Sequence, residues 1–410
     1  FDLNSTVNTA NAMLNLTGGA VTGGLDWRKL EVNTDSLTGA GIKTYEPYRV
    51  KLMENASGIS FQKGTDNTYT LGGGTKSAVT EKLEYVIDTN NSLGTGATSV
   101  SLEGYQFKGN TAAAYAAADG THAEAWSGRT KIGNKVEGNT LTVSGGSLTA
   151  AAYGGLVENT KRNITTGQLL TTGSAAENTL KLAGGSIKDG YGADVRTKEG
   201  GAEKNTVTVS AGTATGNVYG AALTAAGATG QATGNTVTIA GGNFSTANVA
   251  GGAASTGTMS NGNKVVLGSA NGIYTANLSQ ANVWGTRYAG DAVVASGSTA
   301  IDGNTLTVNA KDVTVNKVRN FENYDFHLTN AVAANTAAPM LTVNDTDGFG
   351  TGANVQWDDI RLNANGWNGD TTNPDNTTTH NGKVGTVRLL QSGDNHQNFT
   401  IHSTSPLVRN

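Results

Sequence analysis

The chain has 410 residues, with 28 Lys and Arg against 32 Asp and Glu, for a formal net charge of −4 at pH 7. The basic residues are scattered, so no basic block indicates a nucleic-acid partner or an anionic membrane surface. The chain has no cysteine, which excludes disulfides, thiol nucleophiles and cysteine-ligated metal sites. No stretch approaches the ~20 apolar residues of a membrane helix, so we expect no membrane insertion by this segment.

Small residues dominate the composition: 57 residues are Gly, while 15% are charged and 6% are aromatic. Disordered chains carry more charge and lack regular apolar alternation, whereas this chain alternates apolar and polar residues over many short runs. We therefore expect an all-β protein whose stability comes from the stacking of its strands.

Residues 1–135 contain short apolar runs separated by Gly-Gly, Gly-Thr and Asn-Asn pairs. The runs predict short strands, which are Leu14–Gly19, Val50–Met53, Ile59–Phe61, Tyr69–Gly73 and Leu83–Ile87. The Ala-rich stretch Thr111–Glu124 is compatible with a helical turn, but we favour a coil insertion. We interpret this part of the chain as irregular N-terminal β-solenoid rungs.

The most regular part of the chain, residues 136–310, repeats one phrase. One copy reads Asn-Thr-Val-Thr-Ile-Ala-Gly-Gly from Asn235 to Gly242. The six copies begin at Asn139, Asn178, Asn205, Asn235, Asn263 and Asn304. Their spacings are 39, 27, 30, 28 and 41 residues, and a repeat of this length with tolerated insertions is typical of a solenoid.

Within each copy, apolar residues alternate with Thr or Lys, so apolar side chains face one side of a strand and polar side chains the other. Two short strands per repeat cannot bury their apolar faces alone, but parallel stacking about 4.8 Å apart buries a continuous core. The sequence therefore predicts a single elongated parallel β-helix, right-handed by the crossover rule. The repeated Asn residues would then lie above one another, where their amides can hydrogen-bond as a ladder.

A second phrase follows most copies about 14 residues later and places an aromatic residue before Gly. The aromatic residues are Tyr153, Tyr191, Tyr219 and Trp284. An exposed row of such rings is suited to stacking against sugars. We favour the alternative, a buried stack that fills a corner of the core.

From residue 311 the predicted strands become larger and more apolar, as in Phe321–Leu328, Met340–Val343 and Val384–Leu390. The open end of a solenoid exposes unpaired backbone N–H and C=O groups and has to be covered. We therefore interpret residues 311–410 as the final rungs and a C-terminal cap.

The Asn-x-Val-Thr-Ile-x-Gly-Gly and Val-Tyr-Gly phrases resemble those of bacterial autotransporter passenger domains, the adhesin-like type Va proteins. Three later segments, Asn320–Leu328, Pro339–Val343 and Gly385–Leu390, are similar to stretches near the end of such passengers. The resemblance implies a parallel β-helix in the extracellular space or on the bacterial outer surface, separated from its translocating β-barrel. It also implies a partner, which is a host or neighbouring-cell surface protein or glycan, or other copies of the chain.

The sequence indicates no catalytic, cofactor or metal site. Asp358 and Asp359 are adjacent carboxylates, but successive residues of a strand face opposite sides and do not share a site. The five His residues, His122, His327, His380, His396 and His402, lack metal-ligand spacing. Asp345–Gly348 has the character of an acidic turn without a full calcium loop. We therefore predict a non-enzymatic protein without a cofactor.

Three functions are left as hypotheses. The first is a structural or adhesive protein that presents loops on a rigid β-solenoid rod, with affinity from many weak contacts. The second is a subunit of a self-assembling extracellular fibre, joined by strand donation from a segment such as Phe1–Leu16. The third is a polysaccharide-active β-helix enzyme, which requires a cluster of carboxylates in one groove.

Overall fold

The computed structural model describes residues 1–4, 10–19, 21–25, 33–36, 43–61, 83–89, 97–111, 114–160, 170–244, 247–255, 258–295, 297–329, 338–350, 359–366 and 387–392. These residues form 28 strands, numbered in chain order, and two short 3-10 turns at Ala117–Asp119 and Ala289–Asp291. Over the described ranges the protein is therefore all-β, as the sequence predicted.

Three parallel ladders organise the strands after residue 113. The first ladder contains β8 (Ala114–Tyr115), β11 (Thr140–Val143), β14 (Thr179–Val195), β16 (Thr206–Ala214), β19 (Thr236–Ile239), β21 (Lys264–Leu267), β23 (Thr305–Val308), β25 (Asn323–Thr329) and β27 (Ile360–Gly366). The second ladder contains β9 (Thr121–Thr130), β12 (Ser147–Val157), β14 again, β17 (Asn217–Leu223), β20 (Asn248–Ala254), β22 (Leu278–Tyr288), β24 (Val313–Arg319), β26 (Leu341–Val343) and β28 (Leu390–Ser392). The third ladder contains β10 (Val136–Glu137), β13 (Ala175–Ala176), β15 (Ala202–Glu203) and β18 (Ala232–Thr233). Because the first two ladders share β14, they form one 17-stranded sheet.

Each ladder advances by one sequence repeat per strand. In the first ladder Thr179 pairs with Thr206, and Thr206 pairs with Thr236. In the second ladder Tyr153 pairs with Tyr191. The register survives the unequal repeat lengths because the extra residues lie in the connections between strands. This stacking of parallel strands is compatible with a β-helix.

The alternation of the repeat builds one continuous core. Val237 and Ile239 of β19 are both 0% exposed, while Thr238 between them is only half-buried on the opposite face. The same core receives Phe244 and Val249 from the turn after β19 and from β20. The two-residue period of a strand is the cause, since it sends alternate side chains to opposite faces.

The second-ladder strands face two cores in succession. Val218 belongs to the continuous core, whereas Ala221 and Leu223, beyond Gly220, belong to a separate small core. Ala232 of the third ladder closes this small core. One strand therefore serves both cores, with its glycine between the two parts.

The chain before residue 111 pairs differently. β5 (Tyr48–Phe61) is antiparallel to β7 (Ala97–Gln106), and β7 is antiparallel to β6 (Leu83–Thr89). The strands β2 (Leu14–Asn15) and β3 (Val21–Leu25) join β5 in parallel, and β1 (Asp2–Asn4) pairs in parallel with β4 (Asn33–Ser36). We call β2, β3, β5, β6 and β7 the N-terminal sheet. Alternating apolar residues predicted strands here, but alternation does not encode whether neighbours run parallel or antiparallel.

One expectation for the chain before β9 is wrong. Thr111–Glu124 is not a coil insertion, because its described residues contain β8, a 3-10 turn and the start of β9. Pairing of these strands with β11 and β12 outweighs the weak helical preference of Ala. In the segment Phe1–Leu16, β1 pairs with β4 and β2 pairs with β5, and strand donation from this segment stays a prediction.

The ladders continue toward the C-terminus. Predicted strands at Phe321–Leu328 and Met340–Val343 correspond to β25 and β26, and Phe326 and Met340 are 0% exposed. The predicted strand Val384–Leu390 is only partly described, because residues 384–386 lie outside the described ranges. The predicted strand Tyr69–Gly73 lies outside them entirely. The division into 1–135, 136–310 and 311–410 stays a prediction.

Replacement of Phe244 by Ala tests the continuous core. Phe244 is fully buried, so Phe244→Ala should lower the free energy of unfolding by about 3–5 kcal/mol through lost burial and a cavity. Urea denaturation followed by circular dichroism measures the loss. Ile273→Ala is the control, because Ile273 is 60% exposed and its truncation should leave the urea midpoint unchanged. Equal midpoints for the two variants would contradict the assigned core.

Candidate functional site

Six asparagines form a buried row at the start of the first-ladder strands, and we call them the asparagine row. They are Asn139, Asn178, Asn205, Asn235, Asn263 and Asn304, each 0% exposed. Successive members donate from Nδ2 to the next Oδ1, at 2.8 Å for Asn139 to Asn178 and 3.0 Å for Asn178 to Asn205. Asn205 donates to Asn235 at 3.1 Å, and Asn235 donates to Asn263 at 3.1 Å. The row is therefore a chain of amide hydrogen bonds that runs across the strands.

Each amide of the row also binds backbone groups. The backbone N–H of Asn178 donates to Asn205 Oδ1 at 3.0 Å, and Asn205 Nδ2 donates to Ala175 O of the third ladder at 3.2 Å. Asn235 repeats the second contact with Ala202 O at 3.2 Å. Because a buried amide without partners is costly, these contacts tie the first ladder to the third.

Near the end of the asparagine row, hydroxyl oxygens replace amide oxygens as the hydrogen-bond acceptors of the side chains. Asn263 Nδ2 donates to Ser260 Oγ at 3.1 Å and to Thr286 Oγ1 at 3.3 Å, and Asn304 Nδ2 donates to Thr286 Oγ1 at 3.0 Å. The backbone contact between successive asparagines is kept here, because Asn304 Oδ1 accepts the backbone N–H of Asn263 at 2.9 Å. This pair of hydroxyl groups was not predicted from the sequence. The available signal was Thr286, which pairs with Gly252 in the aligned repeat.

The glycines of the second phrase give the asparagine row its space. A Cβ atom on Gly155 would lie 2.7 Å from Asn178 Cγ, and one on Gly252 would lie 2.8 Å from Asn263 Nδ2. Such separations are shorter than any van der Waals contact allows. The two sequence phrases are therefore one packing unit, in which a side chain of one strand fills the position that glycine leaves empty.

The predicted aromatic residues lie next to one another in the second ladder. Tyr153, Tyr191, Tyr219 and Trp284 are 3%, 9%, 5% and 1% exposed. The rings of Tyr153 and Tyr191 stack at 5.4 Å, and Tyr191 meets Tyr219 edge-on at 5.8 Å. Trp126 extends the row by one strand, and Ala250 interrupts it before Trp284. We call this set the aromatic row; its rings expose too little surface to stack against a sugar.

Arginines lie against the aromatic row. The guanidinium carbon of Arg129 is 4.2 Å from the ring centre of Trp126, and that of Arg196 is 5.5 Å from the ring centre of Tyr153. Arg287 reaches across the Ala250 position and donates to the Tyr219 hydroxyl at 2.5 Å. These contacts combine cation–π attraction with shielding of the rings from water.

Glu158 is the centre of a buried ion cluster beside the row. Its carboxylate is 2.8 Å from Arg129 Nη2, 2.9 Å from Lys131 Nζ and 3.3 Å from Arg196 Nη1. Burial alone raises the pKa of Glu158, but Arg129 and Lys131 outweigh it and hold the pKa below its ordinary value. A carboxylate with this set of cations is a poor proton acceptor, so the geometry suits structure better than acid–base catalysis.

A second row of amides, half-buried, was not predicted. Asn248 Nδ2 donates to Asn217 Oδ1 at 3.2 Å, Asn282 Nδ2 to Asn248 Oδ1 at 3.2 Å, and Asn316 Nδ2 to Asn282 Oδ1 at 2.9 Å. The signal was present in the sequence, because Asn-Val precedes Tyr219, Ala250 and Trp284 alike. The phrase recognised in the sequence begins at Val218, Val249 and Val283, one residue after these asparagines.

The weaker candidate residues are only partly within the described ranges. Asp358 lies outside the described residues, as do His380, His396 and His402. His122 stacks on Tyr45 at 4.0 Å, while His327 lies on β25. Asp345 pairs with Lys317 at 3.4 Å, and Asp347 pairs with Arg319 at 2.8 Å. Both carboxylates of the acidic turn are therefore engaged by basic side chains.

Within the described ranges, no group of three or more His, Asp or Glu side chains is placed to hold a metal ion. None of the helical segments described is long and apolar enough to cross a membrane. Comparison of the chain with protein-family models, with curated proteins and with solved structures finds no match.

Replacement of Asn205 tests the asparagine row. Asn205→Ala removes the acceptor of the Asn178 backbone N–H and of one Asn178 Nδ2 hydrogen, and it removes the Nδ2 donor to Ala175 O and Asn235 Oδ1. Asn178 Nδ2 keeps Val136 O and Asn235 Oδ1 keeps the backbone N–H of residue 205, so the buried Asn178 N–H loses the most. Each unpaired group costs about 1–3 kcal/mol, so the urea midpoint should fall markedly. The control is Asn271→Ala, at an exposed turn, which should change the midpoint little. A small effect of Asn205→Ala would refute the structural role of the row.

Replacement of Gly192 tests the close approach of the strands at the second phrase. A Cβ atom there would lie 2.4 Å from Gly220 O and 2.9 Å from Thr206 N, so backbone has to move. Gly192→Ala should cost about 1–3 kcal/mol or more of unfolding free energy, measured by urea denaturation. Gly18→Ala is the matched control, because a Cβ on Gly18 has nothing within 4 Å. Similar midpoints for both variants would contradict this packing.

Proposed function

We propose that the chain is a non-enzymatic structural or adhesive protein of the extracellular space or the bacterial outer surface. Its ladders would form a right-handed β-solenoid rod whose connecting loops contact a partner. The observation that supports this proposal most is the asparagine row, which commits six buried amides to holding successive repeats in register. The resemblance to autotransporter passengers agrees with it.

Two buried carboxylates in the described part of the chain are engaged by neighbouring side chains. Glu158 is surrounded by three cations, and Asp194 accepts hydrogen bonds from Arg196 at 2.9 Å and Thr224 at 2.6 Å. The aromatic row is buried. The connections between strands vary in length while the register stays constant, which suits them to recognition of a partner.

One connection illustrates how a loop is presented. The corner between β19 and β20 covers residues 240–247, and the corresponding corner between β21 and β22 covers residues 268–277, which is two residues longer. Ser269 and Ile273 close a turn, with the Ser269 N–H donating to Ile273 O at 2.9 Å. Ile273 at this turn is 60% exposed.

Surface display tests the proposal. Bacteria that display the chain should adhere to epithelial monolayers more than bacteria without it, and shortening residues 268–277 to the corner of the preceding repeat should reduce adherence. Unchanged circular dichroism of the purified variant would show that the fold is kept. Autoaggregation without adherence would favour a self-assembling fibre instead, and release of sugars from surface polysaccharides would favour an enzyme.

A further inference from the structure

Arg319 is a further arginine that lies against the aromatic row, and its hydrogen bonds are incomplete. It pairs with Trp284 across β22 and β24, and its guanidinium carbon is 5.6 Å from the centre of the Trp284 ring. Arg319 Nη2 donates to Asp347 O at 2.9 Å and to Asp347 Oδ2 at 2.8 Å. Arg319 Nε is buried and has no hydrogen-bond partner within the described part of the chain. The guanidinium group is therefore only partly satisfied.

The other three arginines beside the aromatic row show what Arg319 lacks. The Nε atom of each donates to a carboxylate of the chain, and the pairs are Arg129 with Glu158 at 2.8 Å, Arg196 with Asp194 at 2.9 Å and Arg287 with Asp291 at 2.7 Å. Among the described residues, no such carboxylate binds Arg319 Nε. A charged donor that is buried without a partner is costly, so this position is suited to a carboxylate from outside the chain.

Trp284 supplies a second unpaired donor at the same place. Its side chain is 1% exposed, and its Nε1 atom is buried without a hydrogen-bond partner among the described residues. Trp284 and Arg319 both face away from the continuous core, because their neighbours Val283 and Val318 belong to it. Two buried N–H donors therefore lie at paired positions on one face of the sheet, and the two oxygens of a carboxylate can accept from both.

The acidic groups of the neighbouring turn leave this position open to an anion. Asp345 is paired with Lys317 at 3.4 Å. Asp347, the partner of Arg319 Nη2, has a side chain that is 50% exposed, whereas the Arg319 side chain is 10% exposed. Water therefore screens the charge of Asp347, while the Nε side of the guanidinium group stays buried. An incoming carboxylate meets this buried positive charge.

We propose that Arg319 Nε and Trp284 Nε1 form a binding site for the carboxylate group of a small acid or of an acidic sugar. The carboxylate accepts from both N–H groups and takes the place that a protein carboxylate occupies at the other three arginines. The turn Asp345–Gly350 packs on β24, where the Val318 N–H donates to Gly348 O at 2.8 Å, and it has to lift for a larger ligand to enter. This site is independent of the proposed adhesive function.

Saturation-transfer NMR of the intact chain with acetate tests the site. Acetate should bind saturably, and an equal concentration of chloride should not displace it, because chloride is a single atom whereas a carboxylate offers two oxygens to the two donors. Glucuronate, measured in the same way, distinguishes a site that accepts acidic sugars from one that is limited to small acids. The absence of saturable acetate binding, or its equal displacement by chloride, would overturn the proposal.

Two variants remove one donor each. Arg319→Lys keeps the positive charge without the Nε–H group, and Trp284→Phe keeps an aromatic ring without the Nε1–H group, so each should weaken acetate binding by about 10-fold or more. Arg196→Lys and Trp126→Phe are the matched controls and should bind acetate as the wild type does, since Asp194 already binds Arg196 Nε and Trp126 lies at the other end of the aromatic row. Unchanged affinity in Arg319→Lys and Trp284→Phe would refute the site. If circular dichroism shows that neither variant folds, the wild-type titration with chloride decides the matter.

Discussion

A polar group that is removed from water needs a hydrogen-bond partner, and the asparagine row meets this need by repetition. The Asn205 amide takes its partners from Asn178, Asn235 and the backbone of Ala175, so no member is satisfied unless its neighbours are in place. A shift of one strand by a single residue would separate these groups. The row therefore sets the register of the ladders, which apolar packing alone would define less sharply.

The remaining features of the repeat depend on that row. Glycine at Gly155 and Gly252 lets the asparagine side chains approach the neighbouring strand. The same strands then carry the aromatic row on the side opposite to the continuous core, where Arg129, Arg196 and Arg287 cover it. The charged and aromatic groups that often mark a reactive cleft are here part of the packing, which agrees with a structural role.

Sequence reasoning reached some parts of the site and missed others for identifiable reasons. The asparagine row was visible because one residue type recurs at a constant place in the phrase. The partial replacement of its amides by Ser260 and Thr286 was not, since these hydroxyls lie in different strands and connections. The cluster at Glu158 was missed for the same reason, because Arg129 and Arg196 come from neighbouring repeats and share no local motif.

The sequence by itself determined the all-β class, the positions of the repeating strands and the identity of their buried residues. These follow from a two-residue alternation and from a repeat length, both of which are local properties of the chain. Only the tertiary structure decided the antiparallel pairing of β5, β6 and β7, the burial of the aromatic row and the attachment of Glu84 to the turn after β9. These features depend on which segments of the chain meet in space. The local pattern of residues does not encode those long-range contacts.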